Sequence, residues 1–252
     1  MVDRPILFSG PMVLALLDSR KTQTRRGLKF QPAPGISIVR KTIRPLDAEP
    51  YHSFERRSLY GNYAGELDIR IKRGDRLWVK ENHAIVPRTA YRMSEGVQQT
   101  LRPDDDHDAA VYAAEWERSK PGRWRPSIHM PRWASRLTLT VTDVRVERLQ
   151  DCSEADAIAE GVERHHAGWM PYNTCFYEAD GVTPANYHCD PRESYRQLWN
   201  KINGHGAWEE NPWVAAYTFT VERRNIDAPD IGIPRSDATS TSGAYPGGNH
   251  DT

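Results

Sequence analysis

Hydrophobic and polar positions change period several times along the chain, and each change marks an element. Ile6 to Phe8 form a short apolar run that predicts a strand. Ser9-Gly10-Pro11 then opens a helix with proline at its first position and Met12, Val13, Leu16 and Leu17 as its buried stripe. Gly74-Asp75 predicts a turn into Arg76-Leu77-Trp78-Val79-Lys80, a strand with Leu77 and Val79 on one face and Trp78 on the other. Ala109 to Trp116 predicts a further strand. Leu137, Leu139 and Val141 alternate with threonines, whereas Val144 and Val146 fall on the opposite phase, so a bulge is expected near Thr142-Asp143.

Two more helices and a last strand complete the pattern. Ser153-Glu154-Ala155-Asp156 is a capping-box variant before a short helix with Ala155, Ile158, Ala159 and Val162 as its apolar stripe. Glu160 lies about 150° from the centre of that stripe, pointing away from the helix's own core contacts. Asp190-Pro191-Arg192-Glu193 supplies an N-cap, a proline and a Glu that can reach back, and Tyr195, Leu198, Trp199 and Ile202 form the buried face up to Gly204. Trp213, Ala215, Tyr217, Phe219 and Val221 alternate in the final strand.

Between these elements lie stretches with little periodicity. Residues 28–66, rich in Pro, Gly and Arg, read as an extended loop or insertion; 84–122 and 163–189 read as further loop insertions, and 225–252 as a disordered tail. The chain of 252 residues has no apolar run of membrane-spanning length and no signal-peptide pattern, and Cys152, Cys175 and Cys189 lack CxxC spacing. These features predict a cytoplasmic protein of one domain over 1–224, without a disulfide framework, membrane partner or cofactor.

Net charge is zero, yet residues 1–80 hold 16 Lys and Arg against 8 Asp and Glu. Such a surplus can steer a phosphate-bearing partner. Its densest part is Arg20-Lys21-Thr22-Gln23-Thr24-Arg25-Arg26, leaving the end of the first helix. An amine there can contact phosphate or an oxyanion or, if desolvated, act as a base; the hydroxyls can donate, accept or attack. An exposed basic strand is the plain alternative.

A second candidate segment runs Trp124-Arg125-Pro126-Ser127-Ile128-His129-Met130-Pro131-Arg132-Trp133-Ala134-Ser135-Arg136. Its prolines exclude a regular helix, its indoles can stack on bases, and its arginines can pair with phosphate; the alternative is that the tryptophans plug one end of a barrel while the arginines face water. Asp104-Asp105-Asp106-His107-Asp108 lacks the Gly and distal Glu of a calcium loop, and His165, His166, Cys175, His188 and Cys189 match no common zinc spacing, so no metal is predicted.

Helix, Arg-Lys-Thr-x-Thr-x-Arg, Gly-Asp-x-Leu-x-Val, a Thr/Val-rich strand and a Glu-bearing helix succeed one another in an order that resembles the ASCH domain of the PUA-like superfamily. With the Trp-rich segment and Leu198-Trp199-Asn200-Lys201-Ile202-Asn203-Gly204, the chain is most similar to the large ASCH proteins of phages and prophages. The resemblance implies an α+β fold, a small PUA-like β-barrel with peripheral short helices, whose cleft accepts a nucleobase in RNA, DNA or a free nucleoside. Some ASCH proteins are amidohydrolases that deacetylate N4-acetylcytidine with a Lys, a Thr and a Glu; the matching positions are Lys21, Thr24 and Glu160. Amide hydrolysis needs a nucleophile, a proton shuttle and an oxyanion donor, and these residue types can supply them. In a strict strand Lys21 and Thr24 would face opposite ways, so Lys21 has to sit on the turn. Arg20, Thr22, Arg25, Arg26, Trp78, Glu81, Trp124, Arg125, Ser127, His129, Arg132, Trp133 and Arg136 are the candidate binding residues. A non-catalytic reader of nucleic acid and a structural role in a phage particle are the alternatives.

Overall fold

A computed structural model describes residues 1–46, 50–118, 121–166, 168–170 and 187–229. The fold is α+β and sheet-rich. Its centre is a five-stranded sheet in the order β1 (Asp3–Leu7), β6 (Arg76–Lys80), β10 (Thr138–Arg148), β13 (Trp213–Glu222) and β2 (Gln23–Gly27). Within it only the β1–β6 pair is parallel. One face carries a core of Ile6, Phe8, Leu77, Val79, Leu139, Val141, Ala215, Tyr217 and Phe219, completed by Val13, Leu16 and Leu17 of helix α1 (Gly10–Leu17). The other buries Val214 with Leu149, Ala157, Tyr195, Leu198 and Trp199 beneath helices α2 (Glu154–Ala159) and α3 (Pro191–Asn203).

Strand β13 is therefore buried on both faces from Trp213 to Tyr217, rather than alternately. The expected bulge lies where the β10–β13 register shifts between Val141 and Asp143. At the Gly74-Asp75 turn, Gly74 takes φ 87° and the buried Asp75 carboxylate accepts the backbone N–H groups of Val2 and Lys72, tying β1 to the start of β6.

Two of the insertions are sheets, not loops. Residues 28–66 contain a three-stranded antiparallel sheet of β3 (Ser37–Ile43), β4 (Tyr51–Arg57) and β5 (Tyr63–Leu67). Its exposed faces are charged and weakly periodic, and it rests on the main core chiefly through Phe54, Ile38 and Leu67. The 84–122 stretch carries most of another, built from β7 (His83–Pro87), β8 (Thr100–Leu101) and β9 (Asp108–Tyr112). The third insertion begins as a hairpin of β11 (Glu163–His165) and β12 (Gly168–Met170); Cys175 lies outside the described residues.

The central sheet curls, but among the described residues no ladder joins its edges β1 and β2, so it is not a closed barrel. The seam holds side chains: Arg26 donates from Nη2 to the Leu7 carbonyl at 2.8 Å, and the Lys21 and Arg26 cations lie 5.7 and 5.3 Å from the centre of the Phe8 ring. At the other end of the chain, the first residues of the expected tail are docked. Asn225 Nδ2 meets the carbonyls of Arg132, Trp133 and Ser135 at 2.7–3.0 Å, and Ile226 is 3% exposed.

Helix α2 turns the opposite way from its expected stripe. Ala155 and Ile158 are exposed and Ala159 is half-buried, while Ala157 and Glu160 are buried; of the expected stripe Val162, just past the helix end, is buried as expected. Cation partners beneath Glu160 compensate the burial of its charge, which an apolar count cannot register. In α3, Ile202 is also exposed rather than buried, and Glu193 pairs with Arg196 instead of reaching back to the cap; Asp190 caps alone through the Arg192 N–H.

Candidate functional site

Helix α1 ends in a tight turn. Ser19 takes φ 58°, and the N–H groups of Arg20 and Lys21 both donate to the Ala15 carbonyl at 2.9 Å. Lys21 therefore precedes β2 and sits on the turn, its side chain fully buried. Its Nζ donates to Glu160 twice, to Oε2 at 2.7 Å and to the main-chain carbonyl at 2.8 Å. The second bond occupies a carbonyl at the end of α2, where no further helical turn would satisfy it.

Arg25, also buried, holds the other Glu160 oxygen at 3.3 Å. The same guanidinium meets Gln23 Oε1 at 2.7 Å, Glu147 Oε1 at 2.8 Å and Asp156 Oδ2 at 3.2 Å. Arg145 closes the cluster by pairing with Glu147 and Asp156. Three cations, Lys21, Arg25 and Arg145, thus face three carboxylates, Glu147, Asp156 and Glu160, and their formal charges cancel. Burial opposes the charge on Arg25, but Glu160 leads a set of neighbours that outweigh it and raise its pKa above the ordinary value. Asp156 has the opposite contest: burial disfavours its charge, yet Arg145, Ser153 and Arg25 hold it below the usual carboxylate range. Cys152 lies against this cluster, and burial pushes its thiol up to about 12, so it is not a thiolate at neutral pH.

A narrow cleft opens beside the cluster, between β2 and α3. Thr24, Arg25, Arg26 and Glu160 line it from one side and Tyr195, Leu198, Trp199, Ile202 and Asn203 from the other, and Met12 of α1 also contributes to the lining. Its free volume is about 50 Å³, enough for roughly three waters. Among the described residues no hydrogen bond engages the Thr24 hydroxyl, and Trp199 Nε1 and Ser194 Oγ are buried without a partner. The structure thus brings Lys21 against Glu160 and places Glu160 and Thr24 on one cleft; Lys21 itself lies behind the wall.

The remaining candidates divide. Arg26 lines the cleft and spans the seam to Leu7. Arg20 pairs with Asp18 at the surface and donates to the Gly161 carbonyl, and exposed Thr22 contributes its backbone, receiving the Phe219 N–H and donating to Ala159. The Trp-rich segment is elsewhere and supports β7–β9. Trp124 packs edge-on against Trp116 at 5.4 Å and covers Ala84, Val86, Ala109 and Val111, while Trp133 covers Ala110, Tyr112, Met130 and Ala134. Neither indole lines the Thr24 cleft, so the aromatic wall expected there from Trp124 and Trp133 is instead Tyr195 and Trp199. Trp78 is buried beneath Lys80, and Glu81 is buried in a two-pronged pair with Arg136 at 2.9 and 3.0 Å. Arg136 also meets Gln98 and Glu115 and stacks 4.1 Å from the centre of the Tyr112 ring. Arg132 pairs with Asp3 and Asp227. Ser127 donates its N–H to Asn82 Oδ1, and Arg125 and His129 are exposed.

The chain matches no family model, no curated protein and no solved structure. Among the described residues, no cluster of His, Cys, Asp or Glu is placed to hold a metal, and no helix is long and apolar enough to cross a membrane. The charged, polar and aromatic residues missed by sequence reasoning are Gln23, Arg145, Glu147, Asp156, Tyr195, Trp199 and Asn203. Tyr195 and Trp199 carried a signal, the α3 apolar stripe, but a stripe does not tell a core contact from a cleft wall.

Proposed function

We propose that the cleft between β2 and α3 takes a modified nucleobase or nucleoside and that Thr24, Lys21 and Glu160 hydrolyse an amide on it. The observation that carries this reading is the buried Lys21–Glu160 pair directly behind a cleft bearing a Thr24 hydroxyl that no described residue engages. In the same reading the curled sheet is a PUA-like barrel of the ASCH type, its seam filled by Arg26 and Phe8 rather than by a ladder.

Each part of the cleft has its own task. Tyr195 and Trp199 supply apolar faces for a flat ring, and the buried Trp199 N–H, without a partner among the described residues, supplies a donor for a ring acceptor once the cleft opens. Entry of a base requires the exposed Ile202 and neighbouring Asn203 to swing outward, because the closed cleft is too small. Thr24 Oγ1 attacks the amide carbon, its proton passes to the Lys21–Glu160 pair, and the pair returns that proton to the departing amine, leaving the acyl group as an ester on Thr24. Water then gives a proton to the pair and attacks that ester, the acid departs, and the proton returns to Thr24 Oγ1. Arg26 at the cleft wall faces the charge that develops on the amide oxygen. The second reading, a binding site without catalysis, is favoured by one observation: the charge-balanced cluster already holds both Glu160 oxygens.

Release of cytidine and acetate from N4-acetylcytidine tests the proposal. Wild type is expected to turn over, with Thr24→Val and Glu160→Gln each reducing the rate at least ~100-fold while circular dichroism is unchanged. Trp199→Phe, which removes the N–H, is expected to raise KM more than it lowers kcat; Trp124→Ala is expected to change neither directly. Saturable binding of the nucleoside with no turnover, lost in Trp199→Ala, decides for the second reading.

A further inference from the structure

A second, larger concavity lies on the β7–β9 unit, away from the Thr24 cleft. Arg123, Arg125 and His129 line it together with Ile85, Pro121 and Pro126, around about 610 Å³ of open space. Its lining contains no carboxylate. Among the described residues, neither Arg123 nor Arg125 has an acidic group within ion-pair distance, whereas Arg132 and Arg136 of the same segment are both paired.

The cations stand on a fixed frame. Arg125 exchanges both backbone hydrogen bonds with His83, at 2.7 and 3.2 Å, and Ser127 is tied to Asn82. The Lys80 ammonium caps the Ile128 carbonyl at the end of the short 3₁₀ turn Ser127–His129. Proline limits φ at 121, 126 and 131, lowering the conformational entropy lost when a ligand is held. Positive charge concentrates here: buried His83 is held below its ordinary pKa first by burial and then by Arg125, Lys80 and His129 around it.

We propose that this groove grips the phosphodiester backbone of a single-stranded nucleic acid through Arg123 and Arg125, with His129 at its rim. Guanidinium forks match phosphate oxygens, and arginines with no acidic partner among the described residues need no such ion pair broken before they bind. A single strand is chosen because the walls are irregular and flanked by proline, with no helix to enter a duplex groove. The assignment does not depend on the chemistry of the Thr24 cleft.

Fluorescence anisotropy of the full chain with labelled 20-nucleotide single-stranded RNA and DNA, from 50 to 200 mM salt, tests it. The Arg123→Gln, Arg125→Gln double variant is expected to bind at least ~10-fold more weakly at 50 mM salt. Its slope of log affinity against log salt should be shallower by about 1.4, or about 0.7 per lost phosphate contact. Lys41→Gln, Arg44→Gln, an equal charge change on the β3 edge, is expected to change affinity less than about 3-fold. No binding by wild type at 50 mM salt, an unaltered groove variant, or an equal loss in the β3 variant each overturns the proposal, the last by reducing it to bulk charge. Turnover or binding of a free nucleoside should be the same in the groove variant and wild type, which separates this test from that of the cleft.

Discussion

Arg25, more than Lys21, is the residue on which the buried cluster depends. Among the described residues Lys21 forms an ion pair with Glu160, whereas Arg25 forms ion pairs with Glu147, Asp156 and Glu160 and also orients Gln23. Removing one partner of a buried pair leaves an uncompensated charge, at a cost of about 3 to 5 kcal/mol. Arg25→Met is therefore expected to destabilise more than Lys21→Met, because Glu160 keeps Arg25 in the second variant but two further carboxylates lose a cation in the first. Urea unfolding of both variants checks the order, and a larger loss for Lys21→Met would refute this division. At this scale the sequence showed which residue types were present but not their pairing. Arg25 stood in the basic run as a phosphate ligand, and only the fold put three acids from β10 and α2 around it.

Helix α2 carries the cluster's acid-sensitive part. Asp156 accepts the Ser153 N–H and hydroxyl in the capping box while pairing with Arg145 and Arg25. Its folded-state pKa lies below the ordinary value of 3.8. The unfolded chain therefore takes up this proton first, so the stabilisation is complete above about pH 4 to 5 and is lost as pH falls through 3.8 toward the folded value. Asp156→Asn is expected to be less stable than wild type at pH 6, with the gap narrowing below about pH 4. A gap independent of pH, measured by thermal unfolding at several pH values, would show that the carboxylate charge is not the cause. The cap was legible as Ser153 followed by Asp156, since local spacing alone makes it. The helix's buried face was not, because Glu160 goes inward only where Lys21 and Arg25 wait for it.

For the molecule as a whole, the seam of the sheet and the docking of residues 225–229 are long-range features. Arg132 meets Asp3 from the first strand and Asp227 from the chain's last described stretch, and Asn225 caps three carbonyls of the Trp-rich segment. This stretch clamps the β7–β9 unit to the central sheet. Ile226→Ala is expected to cost about 2 to 3 kcal/mol, as for a buried aliphatic side chain; a variant within about 0.5 kcal/mol of wild type in denaturant unfolding would refute the clamp. The Ser, Gly, Pro and Asp content after 224 pointed to disorder because composition averages over a window, and a single Asn and Ile that dock are diluted in it.

By itself the sequence determined the features set by neighbours a few residues apart: the Pro-started helices, the Gly74 turn, the bulge after Val141 and the caps at Ser153 and Asp190. Backbone sterics and local hydrogen bonds act over that range and leave a readable period. Tertiary structure alone decided which charged groups are buried, which tryptophans are structural and which arginines remain unpaired. Lys21 and Glu160 are 139 residues apart, and a charge enters the interior only where a partner from a distant segment compensates its lost hydration. Arg123 and Arg125 differ from Arg132 and Arg136 not in type or spacing but in whether the fold brings a carboxylate to them from among the described residues.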